Sequence, residues 1–495
     1  VKRSTTASLF VISIFAVASC YFFLPRHDEQ PTGTGVAIET FKQFSNVRAT
    51  VNNEEVRPDA PLDILTPITL DKPKPLRWWH DAVIYQIWPR SYLDTNEDGI
   101  GDLRGITQRL GYLKDLGITA IWLNPIFKSN SNHGYDAVDF YAIEQDLGTM
   151  AEFETLLSEA KKHGIKIILD LAINHVSNEH PWFIQSANKV AEFEDFFIWS
   201  KTLPEGYGKA WSTHIESTDT WHYITDYSQW KSDNTRNDWY YGAFDPSQPD
   251  LNLKNPAVVD EIKKITKFWI DKGVDGFRLD AIRYLIEEGG LPLQADTEST
   301  LKFWIDFNTY VKNINPEIFL IGESFADTDV SARYFSSGKG LDMVFDFNFG
   351  ATISDALSAI NTTSNDHSSP EQNYQNIRES LWNNLLHKHD TAAPMYFFAK
   401  ALNNHDLDRI HQRFIQTPLS ATIATALLMT LPGTPVIYYG DEISMHQFTT
   451  GNDEYRRAPM QWSAQENAGF TTAKDSWIDR LDYLDEKWKD GWQQL

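Results

Sequence analysis

Residues 258–280 read VVDEIKKITKFWIDKGVDGFRLD, and this stretch decides the fold. Val258–Lys272 carries apolar residues at helical spacing, and Val274–Asp280 is a short strand-like run that ends on a carboxylate. Side chains alternate faces along a strand, so Arg278 and Asp280 point one way while Phe277 and Leu279 point into packing. A cation that close is expected to hold Asp280 ionised.

The same unit recurs along the chain. Eight strands are predicted: Ala82–Ile87, Ile118–Leu123, Ile165–Asp170, Val274–Asp280, Ile318–Gly322, Asp342–Phe347, Phe397–Leu402 and Thr434–Tyr439. Helical segments at Ile106–Leu116, Met150–His163, Val258–Lys272 and Ser299–Asn313 separate them. Near-continuous apolar strands with intervening helices indicate a parallel sheet covered on its outer side. Eight such units predict an α/β fold, a (β/α)8 TIM barrel whose site lies at the C-terminal strand ends. Asp170, Asp280, Glu323 and Asp406 all fall there. An open doubly wound sheet would also place residues at strand ends, but no Gly-rich phosphate loop follows the first strand. An ionised carboxylate facing a second, protonatable one is the equipment for cleaving a glycosidic bond with retention.

The formal net charge of −24 argues against nucleic acid or an anionic membrane surface as partner. The only cysteine is Cys20, so no intrachain disulfide exists. Lys2 and Arg3 precede an apolar run from Ala7 to Leu24, which makes residues 1–24 an export signal or a membrane anchor. Val17-Ala18-Ser19-Cys20 resembles a bacterial lipobox, in which the cysteine is lipidated; an uncleaved signal anchor is the alternative. Either one expects an exported, membrane-anchored protein, periplasmic or extracellular, that meets the membrane only through this anchor.

Residues 25–76 are Pro-rich and polar and read as an extended tether, and 77–495 as the catalytic barrel. Residues 176–255, rich in Trp, Tyr, Asp and Ser, are too many for an ordinary βα loop. They are expected to fold as a subdomain inserted between the third strand and the third helix. After the eighth strand only a loop and a last helix near Trp477–Leu495 are expected.

The strand-end motifs stand in one order: ITAIWLNPIF (118–127), GYDAVDFY (134–141), DLAINH (170–175), QPDLN (248–252), GFRLDAIR (276–283), IGES (321–324), NNHD (403–406) and GTPVIYYGDE (433–442). In order and position they resemble the α-amylase family, glycoside hydrolase family 13, over roughly residues 78–480. The resemblance implies Asp280 as nucleophile, Glu323 as general acid/base and Asp406 as transition-state stabiliser. The physics is consistent: the nucleophile must stay ionised, and the acid needs a raised pKa and a less solvated setting. His405 and His175 resemble the family's hydroxyl-binding histidines, with Asp170 beside them. Tyr135 would give the sugar a stacking face, and Asp136 would bind its hydroxyls.

Arg457, in RAPMQW (457–462), resembles the arginine that pairs with that aspartate in exo-acting members and closes the pocket. A closed pocket admits one terminal glucose. QPDLN resembles the oligo-1,6-glucosidase side of the family, whereas Ala281 stands where members preferring α-1,6 links carry Val. The expected function is therefore retaining hydrolysis of α-1,4 links in maltose and short maltooligosaccharides, with α-1,6 activity open. An endo-acting amylase or neopullulanase, a transglycosylase or isomerase such as trehalose synthase, and a non-catalytic anchored ectodomain are the alternatives.

DTNEDGIGD (94–102) sets oxygens at alternate positions with a Gly for the turn, a spacing that suits calcium, although the closing Glu of an EF-hand is missing. The resemblance implies a structural Ca2+ held by Asp94, Asn96, Asp98, the Ile100 carbonyl and Asp102; an Asx-rich turn without metal is the alternative. No organic cofactor is expected. Two departures from the family pattern stand out. The all-β domain usual after the barrel is not expected here, and Arg283-Tyr284 replaces the Lys-His that many amylases carry, removing a typical amylase contact.

Overall fold

The expected barrel is present. In this computed structural model eight parallel strands close on themselves: β1 (Ile84–Ile87), β2 (Ala120–Leu123), β3 (Lys166–Leu171), β4 (Gly276–Leu279), β5 (Phe319–Gly322), β6 (Met343–Asp346), β7 (Phe398–Ala401) and β8 (Thr434–Tyr438). Ile84 closes the ring, with Ala120 as its neighbour on β2 and Val436 on β8. The structure describes residues 77–478, except 210–213, 225–234, 362–374, 376–378, 380–388, 390–392, 414–417 and 448–452. The signal or anchor, the tether and most of the expected last helix lie outside the described residues.

The strands are buried, apart from partly exposed Lys166 on β3 and Pro435 on β8, because both of their faces are covered. Ile84, Trp122, Ile168, Ile321, Met343, Phe345, Ala399 and Val436 fill the lumen, and Trp79 stacks on Phe319 at 5.2 Å beneath them. The opposite faces of the strands meet the helices. α1 (Met150–His163) opens on a Thr149–Glu152 capping box, and Gly164 ends it at φ 71. α2 (Pro256–Lys272) starts at an Asn255 cap and buries Val258, Ile262, Ile265 and Trp269, one stripe at helical spacing. Cutting Ile265 to Ala is expected to cost about 2–5 kcal/mol. α3 (Glu298–Ile314) is capped by Thr297. The segment predicted as one helix over Ile106–Leu116 is two, Leu103–Gln108 and Leu110–Asp115, broken at Arg109, whose guanidinium lies 4.1 Å from the Trp462 ring.

Between β3 and α2 the chain builds a small antiparallel sheet in the order Trp199–Ser200, Trp239–Tyr241, Trp221–Tyr223. Isolated bridges from His175 to Asp250 and from Phe197 to Leu251 tie it to the end of β3.

Candidate active site

Alternation along β4 delivers the first two groups. Phe277 and Leu279 pack outward, so Arg278 and Asp280 face the lumen, and Asp170 on β3 stands in register beside Arg278. The buried guanidinium gathers three carboxylates. Its Nη1 donates to Asp170 Oδ1 at 2.7 Å and to Asp280 Oδ1 at 2.6 Å, and its Nη2 lies 2.8 Å from Glu323 Oε1. Glu323 follows Gly322, where a Cβ would come within 2.7 Å of both Leu341 and Ile282 side-chain carbons. The Ala281 amide donates to Glu323 Oε2 at 3.2 Å, from a residue held at φ 50.

Three carboxylates around one cation leave negative charge that burial makes costly, so protons are held more tightly than in water. Burial pushes Asp280 up to about 6 although Arg278 pulls it down. The expectation that Arg278 holds this carboxylate ionised is thereby narrowed: desolvation outweighs the adjacent cation, so Asp280 is mostly ionised only above about pH 6. Burial takes Glu323 further, to about 7, with Arg278 opposing and Asp280 and Asp406 adding to the rise. Asp170 is raised to about 6 by burial, against Arg278 and the Tyr135 hydroxyl.

The loop after β7 supplies the opposite wall. Asn404 folds it by accepting the Asp406 amide at 2.9 Å. His405 is buried, with Nδ1 2.8 Å from the Gln86 amide nitrogen and Nε2 3.0 Å from Asp406 Oδ2. Burial opposes charge on Asp406, but His405, then Arg457 and Arg278, hold its carboxyl well below the usual range. The four carboxyls therefore differ in proton affinity: burial raises Asp170, Asp280 and Glu323, while Asp406 is held low.

Tyr135 joins the two walls. Its hydroxyl donates to Asp170 Oδ2 at 2.9 Å and lies 2.7 Å from His405 Nε2, and its ring stacks on His405 with centroids 5.5 Å apart. His175 is buried against Phe244, and burial drops its pKa to about 3. Its Nε2 has no hydrogen-bond partner among the described residues.

Two expectations meet a different arrangement. Asp136 does not pair with Arg457: it accepts from Ser129 Oγ at 2.6 Å and from Ser131 Oγ. Arg457 instead reaches Asp406 Oδ1 at 3.0 Å and the His405 carbonyl at 3.1 Å, its guanidinium 4.5 Å from the Trp88 ring. In the 94–102 loop, Asp94 accepts the amides of Asn96, Glu97 and Gly99, and Asp102 caps the next helix through the Gly105 amide while also accepting the Thr95 amide. Asp98 accepts from Ile100 and Asn96. Among the described residues no three His, Cys, Asp or Glu side chains gather closely enough to hold a metal. The donors are hard oxygens of the kind calcium takes, so an ion would have to share them with these amides.

Gln86, Trp88, Asn124 and Phe244 belong to the site, through His405, Arg457, Tyr135 and His175 respectively, and were not read from the sequence. A glutamine inside the apolar strand run IYQI was the available signal for Gln86, since a buried amide needs partners. Asp441 and Glu442 sit outside the site: Glu442 accepts from the Tyr85 and Tyr112 hydroxyls at 2.8 Å, and Asp441 accepts from Asn403.

This geometry can be set beside known proteins. A family model described as "Alpha amylase, catalytic domain" matches residues 86–490. Alpha-amylase 3 of Dictyoglomus thermophilum is 36% identical over 398 residues, 80% of this chain and 70% of that protein. An alpha-glucosidase of Culex pipiens is 32% identical over 448 residues, 83% of this chain and 71% of its own length. The crystal structure of Bacillus licheniformis trehalose-6-phosphate hydrolase superposes with a TM-score of 0.65 at 30% identity, covering 82% of this chain and 79% of that one. With its barrel, its ordered motifs and a family match over most of its length, the chain belongs to the α-amylase family.

Proposed function

We propose that the protein is a retaining α-glucosidase acting on α-1,4 links of maltose and short maltooligosaccharides. One observation carries the reading: Asp280 and Glu323 meet on the buried guanidinium of Arg278, while His405 and Arg457 hold Asp406. That placement, with burial raising Glu323 and with His405 and Arg457 keeping Asp406 anionic, supports the following roles. Glu323 protonates the glycosidic oxygen as the C1–O bond breaks, and an oxygen of Asp280 takes C1 as an ester. Asp406 stays anionic against the positive charge that develops on the ring. Glu323, now deprotonated, removes a proton from water, which attacks C1 and frees Asp280 with the anomeric configuration retained.

Arg278 holds Asp280 and Glu323 in one place, His175 and His405 bind sugar hydroxyls, and Tyr135 offers its ring. Arg457, seated over Trp88 beside Asp406, closes the non-reducing end. Relatives named alpha-glucosidase and alpha-amylase support action on α-glucosidic bonds. Digests of maltose, maltotriose, isomaltose, trehalose and starch by wild type and Asp280→Asn test the reading. Glucose released first as the α-anomer, with maltotriose giving glucose and maltose, is the expected result. Internal cleavage of starch without glucose, or trehalose or isomaltose formed from maltose, contradicts it.

Two further elements belong to this proposal. A calcium ion stiffens the 94–102 loop through Asp94, Asn96, Asp98, the Ile100 carbonyl and Asp102, away from the chemistry. The apolar run at residues 7–24 directs export and anchors the enzyme; no helix among the described residues is long and apolar enough to cross a membrane.

A further inference from the structure

Arg283 stands where amylases often present a lysine to the sugar, yet each of its three nitrogens is spent inside the protein. Its Nε donates to both oxygens of Asp296 at 3.0 and 3.1 Å, its Nη2 to Asp296 Oδ2, and its Nη1 to the backbone carbonyl of Phe325. The Asp296 amide returns a hydrogen bond to the Arg283 carbonyl at 2.9 Å, and the Tyr334 hydroxyl donates to Asp296 Oδ1 at 2.7 Å. Asp296 holds φ 56, a left-handed conformation that Asp tolerates better than most residues. The pair therefore closes the neck of the loop after β4 and ties it to the loop after β5.

What that tie holds is Phe325, two residues beyond Glu323. The residue is 43% exposed and forms the outer end of an aromatic stack. It lies parallel to Phe347 with centroids 3.9 Å apart, and Phe347 stacks in turn on Phe345 in the barrel lumen at 5.3 Å. A large apolar ring left open at the mouth, beside the residue that protonates the leaving group, is a flat face for the leaving or accepting sugar. Tyr284, with Phe244 edge-on to it at 5.5 Å, lines the same loop.

We propose that Arg283 and Asp296 are positioning residues for the acceptor side: they fix the Phe325 backbone, and with it the aromatic face met by the sugar that leaves or accepts. The inference rests on the α-glucosidase reading above. It makes acceptor recognition a matter of stacking on a held ring, where a lysine would have made it one of charge. Arg283→Lys cannot restore it, because an ammonium lacks the fork that reaches both Asp296 and Phe325.

Two substrates of the full-length protein separate this inference from the parent reading. α-Glucosyl fluoride has a leaving group too small to need the acceptor side, whereas maltotriose fills it. Arg283→Gln and Arg283→Lys are expected to raise KM for maltotriose at least about fivefold and to lower the transfer-to-hydrolysis ratio, as misplaced binding groups do. Both variants should hydrolyse the fluoride within about twofold of wild type. Phe325→Ala should reproduce the maltotriose defect, and Arg283→Gln combined with Phe325→Ala should cost no more than either alone. Equal losses on both substrates, additive effects in the double variant, or unchanged KM for maltotriose would overturn the inference. A wild type inactive on both substrates would instead overturn the glucosidase reading.

Discussion

Arg457 pairs with Asp406: its Nη2 lies 3.0 Å from Asp406 Oδ1, while Asp136 is occupied by Ser129 and Ser131. The arginine thereby helps to hold Asp406 anionic, a role its sequence position did not disclose. Arg457→Gln is expected to lower kcat/KM for maltose about 10²-fold, the loss typical of one electrostatic contact at the transition state. The Asp406 carboxyl, losing that cation, should then bind its proton more tightly, moving any inflection from it to higher pH. Steady-state kinetics across pH checks both; a loss confined to KM with an unmoved profile would count against the pairing as the functional contact.

The reaction needs Asp280 deprotonated and Glu323 protonated. With Asp280 near 6 and Glu323 near 7, kcat/KM should trace a narrow bell whose limbs lie about there. Glu323→Gln should remove the basic limb for α-glucosyl fluoride, whose departure needs little protonation. A plateau reaching well above neutral pH in the wild type would contradict these assignments.

The same raised pKa has a stability consequence of definite sign. Glu323 binds its proton more tightly folded than unfolded, so ionising it weakens the fold as pH rises from the unfolded carboxylate value to about 7. Glu323→Gln should therefore stabilise the protein above neutral pH by up to about 3 kcal/mol, with the gain fading as pH falls toward about 4.5. Thermal melts of both proteins at several pH values measure this. A variant equally destabilised at every pH would refute it.

Ala281 carries its side chain at φ 50 while its amide donates to Glu323. A β-branched residue is poorly accommodated in that conformation. Ala281→Val, the change toward the α-1,6 pattern, should cost about 1–3 kcal/mol of stability or force the amide off Glu323. Ala281→Gly should be tolerated. Melting temperatures and the pH profile of the two variants distinguish strain from a simple loss of space.

Calcium, if bound at 94–102, must compete with the amides that Asp94 and Asp102 now accept. Chelation should lower the melting temperature by a few degrees, reversed by added Ca2+ and absent in Asp98→Ala, whose carboxylate serves only loop donors. An unchanged melt with chelator would leave the loop as an Asx-turn structure.

The barrel was legible because parallel strands buried on both faces read as apolar runs, and four of them, β3, β4, β5 and β7, ended at or just before a residue with chemistry. Asp170, Arg278, Asp280, Glu323, His405 and Asp406 converge for that reason. What escaped the sequence was pairwise. The partner of Arg457 depends on side-chain direction across loops far apart in the chain, and the serines that take Asp136 lie on a neighbouring turn. The proton affinity of Asp280 depends on burial by other strands, which the adjacent Arg278 does not announce. Arg109, packed on Trp462 from beyond β8, breaks a helix whose local pattern is continuous.

The most direct measurement traps the covalent state. Glu323→Gln, given α-glucosyl fluoride and quenched, should gain the mass of one glucosyl residue on the peptide that contains Asp280, and Asp280→Asn in the same background should gain none. A label on another residue, or turnover with inversion at C1 and no labelled peptide, would contradict the assignment of Asp280 as the residue that receives the sugar.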